Sequence, residues 1–526
     1  MPRFRVVTKH QISGWRFLLR RIEHALLRRD ASMVDDPQRG RSTALSVGIA
    51  LTCVIIAGSA VLAFFKPAKQ VGDSPIISEQ GSGALFVHVD SKDSRLYPAL
   101  NLASARLITG SAANPVPVTK EELAKYPRGP VVGIPGAPGV MSDTGSRDSS
   151  WAVCDTARLG AAAPIDSKTG LPAAGANVFS TVVGGPLTVG QGGDSPISPM
   201  TDNQARLLSE GGETWLVYLA GDRGVVRAKI DLHDSAVTLA LGIDPTATVA
   251  EASKGLIDAI PEAPPLQVPN VPGAGQPEIL TGGATAQIGS VVTAASPGRP
   301  AAYYLVSRSG LVQVGSVLAA MIRNSNSRGA VASMTVGPDV VARNLHAGSW
   351  PGTAAYPARP VALADPNDRA VTCYHWSRGA TDNNAVTQVL IGRKLPLTTS
   401  EQSGIVPLVT APSSHGATAD TAYMPRTTGR FVQLTGTNTN SPLRESLFWV
   451  SDSGVRYGID TSPEGDDQTL SSLGLTAQPI PAPWSIISLF AVGPTLSQRD
   501  ARIEHDGVAP DRAAVGIPDK NSGGTS

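Results

Sequence analysis

The sequence predicts an α+β protein: a cytoplasmic amphipathic helix, one transmembrane helix, and a β-rich exported domain of four small repeats around a disulfide-bonded core with pseudo-two-fold symmetry. Three observations predict it. One long uncharged apolar run lies near the N-terminus, just after a basic segment. The chain is rich in turn formers, with 54 glycines and 42 prolines in 526 residues and only 17% of residues charged, which favours short strands over long helices. Similar aromatic strand segments recur after the apolar run, at intervals that bring two cysteines to matching places. The length calls for several folding units, and a hydrophobic content of 41% is too high for a disordered chain.

The net charge of +1 conceals an asymmetry. Residues 1–42 carry ten Lys and Arg against four acids, so the rest is slightly acidic and gives no support to nucleic-acid binding. Within this cytoplasmic segment, Gln11–Asp30 reads as a helix, with Trp15, Leu18, Leu19, Ile22, Ala25 and Leu26 at helical spacing and arginines over much of the rest. Such a helix can lie on anionic headgroups or dock on a partner. Trp15 and Phe17 exceed what topology alone requires, so a partner-docking helix is expected, with Trp15, Arg16, Phe17, Arg20 and Arg21 as the docking residues.

The uncharged run Ala44–Phe65 follows, with 22 residues. A hydrocarbon core of roughly 30 Å needs about 20 helical residues, so a transmembrane helix is expected over 43–65. The run is too long, and starts too far from Met1, for a signal-peptide core, although Ala60 and Ala63 offer small residues near its exit. The basic excess on its N-terminal side holds that side in the cytoplasm, and everything from about residue 70 is expected to be translocated.

A linker (66–80) then leads into the repeats. GALFVHV (Gly83–Val89) and AAYYLV (Ala301–Val306) form one type; ETWLVY (Glu213–Tyr218) and ESLFWV (Glu445–Val450) form the other. Each precedes a second strand, in most cases across a Gly-bearing turn, and then a more helical stretch. Repeats are therefore expected at 81–127, 205–266, 299–345 and 440–505, with central core parts at 128–204, 267–298 and 346–439 and a disordered polar tail at 506–526. Phe86 lies 68 residues before Cys154, and Tyr304 lies 69 before Cys373. An oxidising compartment favours pairing of these two cysteines. A pseudo-two-fold axis near a Cys154–Cys373 bond would explain their matching places. Cys53 lies inside the apolar run and reads as a small apolar residue.

The chain carries no P-loop, no G-x-S-x-G elbow and no Cys–His cluster with zinc spacing. GDSP occurs at Gly72–Pro75 and Gly193–Pro196, but a proline follows the serine where trypsin-like enzymes have oxyanion-hole glycines. His505, in RIEHD, reads as a solvated tail residue. No catalytic residue, metal site or cofactor is assigned.

Several long segments nonetheless resemble one family. TKHQISGWRFLLRRIEHALLRRDASMVDDP (Thr8–Pro37), SPIISEQGSGALFVHV, RLYPALNLASARLITG, VGIPGAPG, RYGI and GPTLSQRDARIEHD are similar to signatures of EccB, a membrane-complex subunit of type VII (ESX) secretion systems, from about Thr8 to Asp506. The resemblance implies a structural core subunit of the inner-membrane complex, with a periplasmic domain of four repeats. Its implied partners are EccC (the motor ATPase), EccD, EccE, a mycosin protease and further copies of itself, with peptidoglycan contact through the repeats. The family often carries an ATPase label, which would imply ATP. The absent P-loop departs from that label, so ATP hydrolysis stands as an alternative, beside a cell-wall-binding anchor.

Overall fold

The computed structural model describes residues 8–29, 37–64, 71–89, 94–139, 141, 143, 145–157, 178–190, 196–295, 298, 300–328, 332–409, 418–426, 429–436, 438–442, 444–461 and 468–507. The chain divides into two units, Met1–Gln70 and Val71–Ser526.

The first unit is helical. The helix Lys9–Arg28 opens where the Thr8 amide donates to Gln11 Oε1 at 3.1 Å. It stops at Arg29, whose φ of 57° returns its N–H to the Ala25 carbonyl. The helix Pro37–Phe64 opens on a proline, which suits a first position where no intrahelical partner exists for an N–H. Leu45, Ile49, Leu51, Val54, Ile55 and Ile56 are all more than half exposed around this helix. The Thr52 and Ser59 hydroxyls donate back to the carbonyls of Gly48 and Ile56. The transmembrane helix expected over 43–65 falls largely on this helix, although among the described residues no helix is long and apolar enough to cross a membrane.

The second unit is mixed α+β and β-rich. Its largest sheet has seven strands in the order Val406–Pro407, Thr421–Tyr423, Val178–Gly184, Ser149–Ala157, Val371–Arg378, Val386–Gly392, Ile197–Pro199. The middle four are antiparallel neighbours. Both faces are covered. Trp151, Val153, Tyr374 and Trp376 enter one core, while Ala152, Cys154, Val183 and Cys373 enter another. That is why these strands read as nearly continuous apolar runs rather than alternating ones.

Four smaller sheets share one strand order. The first three strands form an antiparallel meander, a helix follows, and a fourth strand returns parallel to the first. In the first sheet these are Ile76–Glu79, Leu85–Val87, Tyr97–Ala99, helix Leu102–Thr109 and Val116–Val118. In the second they are Gln204–Glu210, Glu213–Leu219, Val225–Lys229, helix Ser235–Leu241 and Ala250–Glu251. The third has Val291–Ala294, Ala302–Ser307, Gly310–Val314, helix Ser316–Ser325 and Met334–Thr335. The fourth has Arg430–Thr435, Leu447–Val450, Val455–Ile459, helix Thr469–Leu473 and Ile480–Pro483. Three of the four helices end on a left-handed glycine, Gly110, Gly242 and Gly474, where a side chain would be strained.

The sheets meet in shared cores. The first and fourth pool Ile76, Val87, Leu107, Phe431, Trp449 and Leu496. The central sheet shares Trp151 and Trp376 with Trp215 of the second sheet and with Phe490. Val317 and Met321 of the third sheet's helix join the core of the second.

Three expectations differ from this picture. The first, third and fourth small sheets begin one strand earlier than the expected 81, 299 and 440, because a short strand precedes each aromatic one and pairs with it. Residues 267–298, expected in the central core, hold the separate hairpin Pro277–Ile279 with Thr285–Gln287, and the strand Val291–Ala294 that pairs into the third sheet. His505 is not a solvated tail residue. The strand Glu504–His505 pairs antiparallel with Val131–Val132, and His505 Nε2 lies 2.8 Å from the Gly133 carbonyl oxygen. The first GDSP runs through the turn Val71–Asp73 into the strand Ile76–Glu79. Most of the second, residues 193–195, lies outside the described residues, as do linker residues 66–70 and tail residues 508–526.

Candidate functional site

Cys154 and Cys373 are bonded, with Cα atoms 4.0 Å apart and 219 residues between them in sequence. They occupy directly opposed positions on the two middle strands of the central sheet, and both are fully buried. Trp151 and Trp376 are opposed in the same register on the other face. The bond therefore joins the two halves of the chain at the centre of their shared sheet.

Ionisable groups cluster around this bond. Asp155 is buried on the face opposite the sulfurs, and its carboxylate accepts from Ser253 N at 2.6 Å and Ser253 Oγ at 2.8 Å. Burial pushes its carboxyl up to about 7, and the nearby Asp420 charge adds to that, against the downward pull of the Ser253 hydrogen bonds. Ser253 in turn caps the helix Lys254–Ala259, accepting from Leu256 N at 3.1 Å. Asp420 accepts from Ser180 N at 2.7 Å and from its hydroxyl at 3.2 Å.

His375 Nε2 lies 3.0 Å from Ser150 Oγ on the neighbouring strand. Burial pushes the imidazole down to about 4, so the ring is neutral near pH 7. A serine beside a histidine invites comparison with hydrolases, but Nδ1 has no hydrogen-bond partner here, so no carboxylate orients the ring as a triad requires. Arg206 is buried and donates to the carbonyls of Ala364 at 2.9 Å and Arg369 at 2.8 Å, with burial lowering its pKa to about 10. It staples the second sheet to the segment leading into the other half. Among the described residues, no group of three His, Cys, Asp or Glu could hold a metal ion. The chemistry of these groups is bracing: each polar contact closes on backbone or on another side chain.

The five docking residues lie on the helix Lys9–Arg28, where Trp15 is 64% and Phe17 54% exposed. They do not form one patch. At about 100° per residue, Trp15 shares a face with Ile12, Leu18, Leu19, Ile22 and Leu26. Arg16, Phe17, Arg20 and Arg21 fall on the rest of the circumference, so Phe17 sits among the arginines. The apolar face is exposed throughout. The Asp155–Ser253 contact spans 98 residues of sequence and had no local signal. The one hint was an acid set inside the apolar strand WAVCD.

Fold and site together define a disulfide-braced, multi-sheet β-rich protein preceded by a basic amphipathic helix and an apolar helix. The chain belongs to the EccB family of type VII secretion systems. A family model described as "Type VII secretion system ESX-1, transport TM domain B" matches residues 4–510. The ESX-3 secretion system ATPase EccB3 of Mycolicibacterium smegmatis is 38% identical, over 96% of this chain and 92% of its own. The ESX-1 secretion system ATPase EccB1 of Mycobacterium tuberculosis is 36% identical over 99% of both. Among solved structures, a chain of an intact ESX-5 inner membrane complex superposes with a TM-score of 0.71 at 34% identity, covering 98% of this chain and 99% of that one. A chain from the EccB3 dimer of the ESX-3 core complex gives 0.67 at 35% identity, covering 82% and 100%.

Proposed function

We propose that the chain is a structural core subunit of an inner-membrane type VII secretion complex, building part of its periplasmic portion. The observation that carries this reading is the likeness, over 98% of the chain, to a subunit of an intact ESX-5 inner membrane complex. Likeness to a chain of the ESX-5 periplasmic assembly, with a TM-score of 0.68 over 85% of this chain, supports placing the β-rich unit in the periplasm. In this reading residues 1–42 are cytoplasmic, 43–65 cross the membrane once, and the exported unit assembles with further copies of itself. The apolar exposure around the helix Pro37–Phe64 supports the crossing. Partners are EccC as motor, EccD, EccE and a mycosin protease, with Trp15, Arg16, Phe17, Arg20 and Arg21 docking on the membrane or cytoplasmic components.

The common strand order of the four small sheets supports reading them as one duplicated unit, and the opposed cysteines support a pseudo-two-fold axis between the two middle strands. The strands flanking the middle four set its limit: Thr421–Tyr423 runs parallel to its neighbour, whereas Ile197–Pro199 runs antiparallel to its own.

The test is mild-detergent extraction of C-terminally tagged protein from native membranes, with native-gel sizing and mass spectrometry. A megadalton-scale band containing EccC, EccD and EccE is the expected result. A lone monomer or dimer, under conditions that keep other membrane complexes intact, would overturn it. The names of the curated relatives favour a second reading, ATP hydrolysis. Turnover by the purified chain, abolished by a point change that leaves folding intact, would establish it. Sedimentation with purified peptidoglycan tests the wall-anchor reading.

A further inference from the structure

One cleft of about 620 Å³ lies outside everything described so far. It is bounded by the ends of the central strands near Arg147 and Arg378 and by the fourth sheet's strands Arg430–Thr435 and Ile480–Pro483. That volume suits a small molecule, and about half of the lining is polar where most small-molecule pockets are mainly apolar. Arg147, Arg378 and Arg444 line it together with Asn383, Asn384 and Asn440, and no acidic residue does.

The donors in this cleft are largely unused. Arg378 commits only Nε, to the Asp382 carbonyl at 2.8 Å. Arg147 donates to the Gln478 carbonyl at 2.8 Å and lies 3.6 Å from Asp143. Arg444 and the three asparagine side chains have no hydrogen-bond or ion-pair partner among the described residues. Two carboxylates close by in sequence accept backbone N–H groups of lining residues: Asp148 Oδ1 takes the Ala380 N–H at 2.9 Å, and Asp382 Oδ2 takes the Gly379 N–H at 3.2 Å. Three guanidiniums thus share a concave space with little compensation, and their planar forks match carboxylate and phosphate oxygens. Side-chain amides both donate and accept, which matches hydroxyl groups.

We propose that this cleft binds an anionic sugar, with the phosphate or carboxylate on the arginines and the hydroxyls on the asparagine amides. The test is calorimetric titration of the full chain in a sugar-free detergent with glucose 6-phosphate, glucuronate, glucose and inorganic phosphate. Binding of either anionic sugar, weakened about tenfold or more in Arg378→Gln and again in Arg444→Gln, is the expected result. Which of the two binds distinguishes a phosphorylated from a carboxylated source. Both arginines lie at the surface of the cleft, and unchanged melting temperatures would show that the variants fold. Absence of binding by both anionic sugars, affinities indifferent to both substitutions, or inorganic phosphate or glucose binding as tightly as the anionic sugars would overturn the proposal.

Discussion

Asp155 and His375 sit on adjacent central strands and answer pH in opposite senses. Burial raises the Asp155 carboxyl to about 7, so between about 4 and 7 the folded chain holds a proton that the unfolded chain has lost, and stability falls as pH rises through that window. Burial lowers His375 to about 4, so between about 4 and 6.5 the unfolded chain holds the extra proton, and stability is lost as pH falls. In Asp155→Asn, thermal unfolding followed against pH is therefore expected to lose the decline toward neutrality and keep only the rise above about pH 4. Identical profiles for the two proteins would show that Asp155 does not titrate in this window. The cysteine pair was legible at this scale because nearly equal intervals from related strands, 68 and 69 residues, are a one-dimensional signal. The Asp155–Ser253 contact was not, because only folding brings those two together. The same holds for the arginines of the cleft, which come from one strand end and two separate loops.

At the scale of elements, the disulfide fastens the two middle strands where they are already paired. Closing a loop of 219 residues corresponds to an upper figure of about 5 kcal/mol in the chain-entropy model. The double substitution Cys154→Ser with Cys373→Ser is expected to lower the unfolding free energy of the full chain by about 2–5 kcal/mol, read as a lower unfolding midpoint. Both cysteines are buried, so reductant is expected to act on the native protein only after it opens. A midpoint unmoved by the double substitution would show that the ladder alone holds the halves together. The aromatic strands and two of the glycine-ended helices were readable because each leaves a local mark, aromatic residues in a short apolar run or a Leu-Gly at a helix end. The opening strands of three small sheets were not. IISE and VVTA are short, and their place is fixed by pairing with the following strand and with a fourth strand that returns from beyond the helix.

At the scale of the whole molecule, the helical unit and the β-rich unit have separate jobs in the proposed assembly. Deleting residues 1–42 is expected to reduce incorporation into the large membrane complex severalfold while leaving the melting temperature of the exported unit unchanged. Native-gel sizing beside thermal unfolding checks both halves of that statement, and a normally assembled truncated chain would refute it. The division into a basic helix, an apolar helix and a β-rich remainder was legible from charge and hydropathy alone. How the four small sheets share cores was not, since one core draws Ile76 and Trp449 from opposite ends of the sequence.

The pairing of Glu504–His505 with Val131–Val132 sets an order of events on the making of this protein. The first sheet to leave the ribosome is finished by residues 504–505, and its core is closed by the fourth sheet. Export residue by residue therefore cannot yield a completed first sheet and then a completed second. The early strands wait with an open edge until the C-terminal segment arrives, as expected of a fold built on distant pairings. A chain cut short before residue 504 would keep that edge bare and free to capture the same segment from another copy. Closure of the first sheet thus depends on residues 504–505 reaching Val131–Val132.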